Sequence, residues 1–145
     1  MDVFFYSRDH EPYGFLSNFC RAKQTVDGVE YPTNEHYYQS QKAKDIVDKD
    51  SIRSQPTPFL AMRLGRALPP SKMVENWDLK KVGIMREGLM AKFSQNPDLK
   101  TRLLATGDAH LHEDSPTDGF WGWKHGNGSD ILGSLLEETR EKLRC

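Results

Sequence analysis

Between Tyr31 and Lys42 the chain reads Tyr-Pro-Thr-Asn-Glu-His-Tyr-Tyr-Gln-Ser-Gln-Lys. With Thr33 as the N-cap of a helix, Glu35 falls in the first turn, where free N–H groups and the macrodipole favour a carboxylate. At about 100° per residue, Glu35, Tyr38, Gln39 and Lys42 share one face. Such a polar stripe ordinarily faces solvent. The aromatic residues beside it point instead to partial burial. A partly buried carboxylate and amine perturb each other's pKa, which suits acid–base or amine chemistry.

A second cluster runs from Asp118 to Gly128, with four glycines and two tryptophans in eleven residues. Glycine lets a backbone approach a ligand, and consecutive N–H groups can cradle a phosphate. A tryptophan face can stack on a base or sugar. The same composition also fits a long turn anchored by tryptophan packing. The helix start near Ser129-Asp130 could hold an anion, although Asp130 opposes it. His110 and His112, followed by Glu113 and Asp114, could ligate a metal. Two histidines alone do not make a site, and there is no His-Glu-x-x-His or Cys-x-x-Cys. No metal and no cofactor are therefore expected. Nucleophile-elbow, Walker and dinucleotide-binding motifs are absent from the sequence.

These groups need elements to position them. Val3–Ser7 reads as a strand, and residues 21–26 and 29–31 as a hairpin around Asp27-Gly28. The segment Tyr13–Phe19 is too apolar for an ordinary solvated loop. Helices are expected from Thr33 to about Val47, from Thr57-Pro58 to Ala67, from about Asn76 to Ser94, and from Asn96-Pro97 towards Gly107. Within the third, Leu79, Val82, Leu89 and Phe93 are the expected core contacts, and Gly83 and Gly88 weaken it. A short strand at 109–113 and a final helix from about Asp130 to Leu143 complete an α+β arrangement dominated by helix.

Composition bounds the function. The 145 residues are 37% hydrophobic and 28% charged, with a net charge of −1. That is one domain's worth of chain. The mean hydropathy is −0.72, and neither a membrane span nor a signal segment is expected. A cytoplasmic protein is the reading, with Cys20 and Cys145 as reduced thiols. Balanced charge argues against a non-specific nucleic-acid coat, which needs a basic stripe.

The Tyr31–Ala43 stretch, taken with Gly14–Phe19, Ala61–Arg66, Asn76-Trp77, Asp118–Gly122 and Leu132-Gly133 in this order, resembles the YbiA/NADAR family over nearly the whole chain. The resemblance implies an α+β, mainly helical single domain over residues 1–145 with a small antiparallel sheet. It implies an N-glycosidase that cleaves a ribosyl–nitrogen bond. Two substrate classes follow: ADP-ribose on guanine bases, including ADP-ribosylated DNA or RNA, and phosphoribosylamino-pyrimidine intermediates of riboflavin synthesis.

The family's glutamate corresponds to Glu35, its helix lysine to Lys42, its tryptophan to Trp77, and its Asp-x-x-Trp pair to Asp118 and Trp121. Glu35, Lys42 and Asp118 are thus the expected catalytic residues. Ser17, Asn18, Phe19, Tyr38, Arg63, Trp77, Trp121 and Gly122 are the expected substrate contacts. Glu35 suits a base or electrostatic stabiliser, and Lys42 could form a Schiff base at C1 of an opened ribose. Arg63 and Arg66 are candidate phosphate partners. The competing class is a module that binds ADP-ribose or a nucleotide without cleaving it. A carboxylate–amine pair favours the enzyme.

Overall fold

The computed structural model describes residues 1–144, so Cys145 lies outside the described residues. Two compact units emerge, one of residues 21–92 and one of residues 1–20 with 93–144. Among the described residues there are six α-helices and two small sheets of two strands each.

The 21–92 unit opens with the hairpin. Strands β2 (Gln24–Val26) and β3 (Val29–Tyr31) pair antiparallel with Val26 opposite Val29. Asp27 and Gly28 take φ of 51° and 79°. Those left-handed values are what a two-residue turn needs to match the twist of its strands. Helix α1 (Asn34–Ser40) then starts on Thr33, whose hydroxyl accepts the His36 amide at 3.1 Å. Helix α2 spans Ile46–Arg53. Helix α3 (Pro58–Ala67) starts on Thr57, which caps the Leu60 amide at 3.1 Å, with Pro58 at its first position.

The expected helix from Thr33 to Val47 is two helices. Lys42 and Ala43 donate to Gln39 and Ser40 carbonyls at 3.2 Å, which tightens the end of α1. The chain then runs extended. Val74 donates to Lys42 O at 2.8 Å and Lys44 donates to Lys72 O at 3.1 Å, around an Ala43–Met73 bridge. Ala43 is wholly buried with Ile52 and Ala61. Backbone pairing to a distant segment and burial of a small residue override helix propensity there.

Helix α4 (Trp77–Gln95) matches its expected span. Leu89 and Phe93 are fully buried, whereas Leu79 is 85% exposed and is not a core contact. Gly88 is buried where α4 meets α1: a Cβ there would lie 2.8 Å from the Tyr37 ring. Gln24 donates to Asn34 Oδ1 at 3.0 Å and to the Gly88 carbonyl at 3.2 Å, tying hairpin, α1 and α4 together.

In the other unit β1 (Asp2–Phe5) pairs with β4 (His110–Glu113) in parallel, Val3 opposite Leu111. The small sheet is thus antiparallel in one piece and parallel in the other. Val3 and Phe5 point inward, and α6 (Ile131–Leu143) lies against β4 with Leu132, Leu135 and Leu136 buried. Gly133 allows this approach, since a Cβ would sit 2.9 Å from the Leu111 carbonyl carbon. Helix α5 spans Pro97–Leu104. Gly14–Leu16 forms a buried single-turn 3₁₀ helix, as its apolar composition suggests. Cys20 is a free thiol. No helix among the described residues is long and apolar enough to cross a membrane.

Candidate active site

Within residues 21–92 the polar stripe of α1 does not face solvent. Glu35 is only 7% exposed and Gln39 3%. Gln39 Nε2 donates to Glu35 Oε2 at 2.7 Å, a charge-assisted bond at i,i+4 spacing. Just past the end of α1, Lys42 Nζ stands 5.7 Å from the centre of the Tyr38 ring, within cation–π range. Tyr38 in turn packs on Trp77, with ring centres 5.3 Å apart. Glu35, Tyr38, Lys42 and Trp77 therefore form one cluster, although only Glu35 and Tyr38 are on α1: Lys42 lies just past its end and Trp77 starts α4.

Burial pushes the Lys42 amine below its ordinary range. The Glu35 carboxylate pulls the other way, and the positive charges of Arg66 and Lys81 add to the lowering. Lowering the pKa of an amine favours its neutral form, which is the nucleophile, over the solvated ammonium. Of the two arginines on α3, Arg66 is the one whose charge reaches Lys42. Arg63 is exposed, its guanidinium 5.9 Å over the Phe59 ring. An open cavity of about 560 Å³ lies beside Trp77, lined also by Lys44, Met73, Val74 and Leu79.

His36, next to Glu35, is fully buried. Its ring contacts Thr33 Oγ1 at 2.8 Å and the Gln55 carbonyl at 2.9 Å. Burial lowers its pKa, so the neutral imidazole holds α1 to the end of α2.

The other expected residues belong to the second unit. Asp118 Oδ1 accepts the Phe120 and Trp121 amides at 3.0 and 2.9 Å, so one oxygen of this carboxylate organises its own turn. Trp121 packs edge-on against Phe120. A Cβ on Gly122 would meet the Asp118 carbonyl at 2.7 Å, so glycine there serves the fold. Ser17 Oγ caps the Phe19 amide at 3.1 Å; Ser17 and Asn18 are buried and Phe19 partly so.

In the 118–128 loop several of the N–H groups that could cradle a phosphate are already bonded within the protein. Trp123 N donates to Glu113 O, Gly128 N to Trp123 O, and Ser129 N to Gly119 O. The first α6 amides are also taken, Ile131 by Phe120 O and Leu132 by Trp121 O. These two amides at the start of α6 are therefore already bonded and not available to an anion. Each histidine of the 110–112 pair has a carboxylate instead. His112 contacts Asp130 at 2.5 Å and Asp2 at 3.5 Å, and His110 contacts Glu137 at 3.4 Å. Among the described residues no group of three or more His, Cys, Asp or Glu is placed to hold a metal ion.

Gln39 and Lys81 were not among the expected site residues. Gln39 carries a readable signal, the i,i+4 spacing from Glu35. Lys81 is brought to Lys42 only by tertiary packing.

Comparison with known proteins agrees with this architecture. The NADAR domain family matches residues 4–144. The chain is 42% identical over 140 residues to the N-glycosidase YbiA of Escherichia coli K12, covering 96% of this chain and 86% of that protein. It is 39% identical to an N-glycosidase of Nostoc punctiforme, covering 99% and 94%. A riboflavin biosynthesis protein of Vibrio vulnificus is 38% identical, covering 98% of this chain and 38% of that longer protein. The solution structure of E. coli YbiA superposes with a TM-score of 0.87 at 42% identity, covering 99% of this chain and 86% of that one. With motifs, fold and nearly full-length matches in agreement, this chain belongs to the NADAR domain family.

Proposed function

We propose that the protein is an N-glycosidase that hydrolyses a ribosyl–nitrogen bond, with Lys42 as nucleophile and Glu35 as base and electrostatic stabiliser. The observation that carries this reading is the Lys42 amine, held beside Tyr38 and pushed towards its neutral form by burial and by Arg66 and Lys81. A module that only reads a ligand has no use for a depressed amine near a buried carboxylate.

The bond from C1 to the ring oxygen breaks, the proton on the departing nitrogen passes to that oxygen, and C1 becomes double-bonded to the nitrogen. Neutral Lys42 adds to C1, its two protons pass to the departing nitrogen, and the bond from C1 to that nitrogen breaks to release a free amine and leave the Lys42 imine. Water then adds to the Lys42 imine, Glu35 accepts its proton, and the sugar departs as an aldehyde while the lysine amine is restored. Trp77, packed on Tyr38, offers a face for the base or sugar.

Of the two substrate classes, phosphoribosylamino-pyrimidines are favoured by the relative named for riboflavin biosynthesis in Vibrio vulnificus. ADP-ribosylated guanine is the second reading. Product mass spectrometry after incubation with each compound separates them, and release of the free pyrimidine amine is the expected result. Borohydride added during turnover fixes the sugar to Lys42 in the wild type and not in Lys42→Arg. Absence of an adduct, with substantial activity in Lys42→Arg, removes the covalent route. Cleavage of neither compound removes the reading itself.

A further inference from the structure

Gln39 has no part in the chemistry above, yet it is buried and its two side-chain ends are treated unequally. Its Nε2 donates to Glu35 at 2.7 Å. Its Oε1 is buried without a hydrogen-bond partner among the described residues. That oxygen faces the bare backbone of Gly65 on α3, which is itself buried. A Cβ on residue 65 would fall 2.8 Å from Gln39 Cδ and 2.9 Å from its Cβ, closer than real contacts allow.

A buried carbonyl without a partner is a cost the fold need not carry, since most such groups find one. Turning the amide over would point Oε1 at the Glu35 carboxylate, oxygen against oxygen. The amide is therefore fixed by charge at one end and by the Gly65 notch at the other.

We infer that Gln39 is a positioning residue that holds Glu35 ionised and correctly aimed, and that Gly65 is glycine because it seats Gln39. The inference rests on the role proposed for Glu35. A carboxylate that accepts an N–H bond favours its charged form, so removing the donor makes it protonate at higher pH. Losing a charge-assisted bond of this kind corresponds to about 10- to 100-fold in rate.

The test compares wild type, Gln39→Met, Gln39→Glu and Gly65→Ala, each checked for folding by thermal melting. Two readouts are used: the pH profile of kcat, and the carboxyl titration of Glu35 by carbon NMR, assigned with Glu35→Gln. In Gln39→Met, kcat falls about 10- to 100-fold with KM little changed. The acid limb of kcat and the Glu35 titration both move to higher pH. Gly65→Ala moves both in the same direction by displacing the amide. If the methionine variant does not fold, Gln39→Glu puts a second carboxylate beside the first, and the pair titrates in two separated steps. An unchanged Glu35 titration and acid limb in folded Gln39→Met, or a single unshifted step in Gln39→Glu, overturns the inference. Where the wild type turns over neither substrate, the function proposed for the site fails. The carboxyl titration still decides whether Gln39 governs Glu35.

Discussion

Two influences favour the charged form of Glu35, the first turn of α1 and the Gln39 amide, against the desolvation of a carboxylate only 7% exposed. Replacing it with glutamine keeps the shape and leaves Gln39 an acceptor, so the fold survives. Turnover in Glu35→Gln is expected to drop by ~10²–10⁴ with little change in melting temperature. Wild-type rates in that variant would take Glu35 out of the mechanism. Trp77 differs, because it is 9% exposed and packs on Tyr38. Trp77→Ala is expected to cost ~3–5 kcal/mol of stability. Trp77→Phe restores most of it while leaving weaker ligand binding, worth about 1–3 kcal/mol of stacking in full. Thermal melting beside ligand titration of both variants separates packing from stacking. Equal affinity of the phenylalanine variant and the wild type argues that Trp77 only packs.

At the scale of elements, α4 carries two glycines with opposite environments. Gly83 has nothing within 4 Å of where a Cβ would be, whereas at Gly88 the Cβ would meet the Tyr37 ring at 2.8 Å. Gly83→Ala is expected to stabilise by about 0.4–1 kcal/mol through helix propensity and reduced chain entropy. Gly88→Ala is expected to destabilise by about 1–3 kcal/mol, because α1 must move away from α4. Denaturant midpoints at constant slope test the pair. Similar gains at both positions would mean that α1 does not lie against α4 at residue 88. Both glycines look alike in the sequence as weak points of a helix. Only the neighbour across the interface distinguishes them. Likewise, the end of α1 at Ser40 carries no glycine or proline. It ends where Lys42 and Lys44 find backbone partners at Val74 and Lys72.

For the whole molecule, two histidines set opposing pH dependences. His36 has its pKa lowered, chiefly by burial. The unfolded chain therefore takes up the proton first, and this contribution to stability is lost as pH falls through about 6.5. His112 is also partly desolvated, but hydrogen bonds and charge from Asp130 and Asp2 outweigh that and raise its pKa. Its contribution is complete below about 6.5 and is lost as pH rises through the elevated folded value. Melting temperatures between pH 5 and 8 check this. His36→Gln is expected to flatten the acid side relative to wild type, and His112→Asn the side above neutrality. Parallel profiles in all three proteins would show that neither pair contributes.

What the sequence determined by itself were the features written in local chemistry. The Thr33 and Thr57 caps, Pro58 at a helix start, the Asp27-Gly28 turn and the α6 span need only near neighbours, and each is where local rules place it. The grouping of Glu35, Tyr38 and Gln39 on one face of α1 also follows from spacing of about 3.6 residues per turn, whereas Lys42 joins them from beyond the helix end. The resemblance to the family could be read from residues in order along the chain. Tertiary structure decided the rest, because it depends on groups far apart in sequence. It stopped α1 at Ser40, turned Leu79 outward and paired β1 with β4 in parallel. Several N–H groups of the 118–128 loop went to carbonyls of the loop or of β4, and the Ile131 and Leu132 amides to carbonyls of that loop. Burial and the charges of Arg66 and Lys81 set the state of the Lys42 amine. A side chain's spacing can be counted from the sequence, but its desolvation and its electrostatic neighbours exist only once the chain has packed.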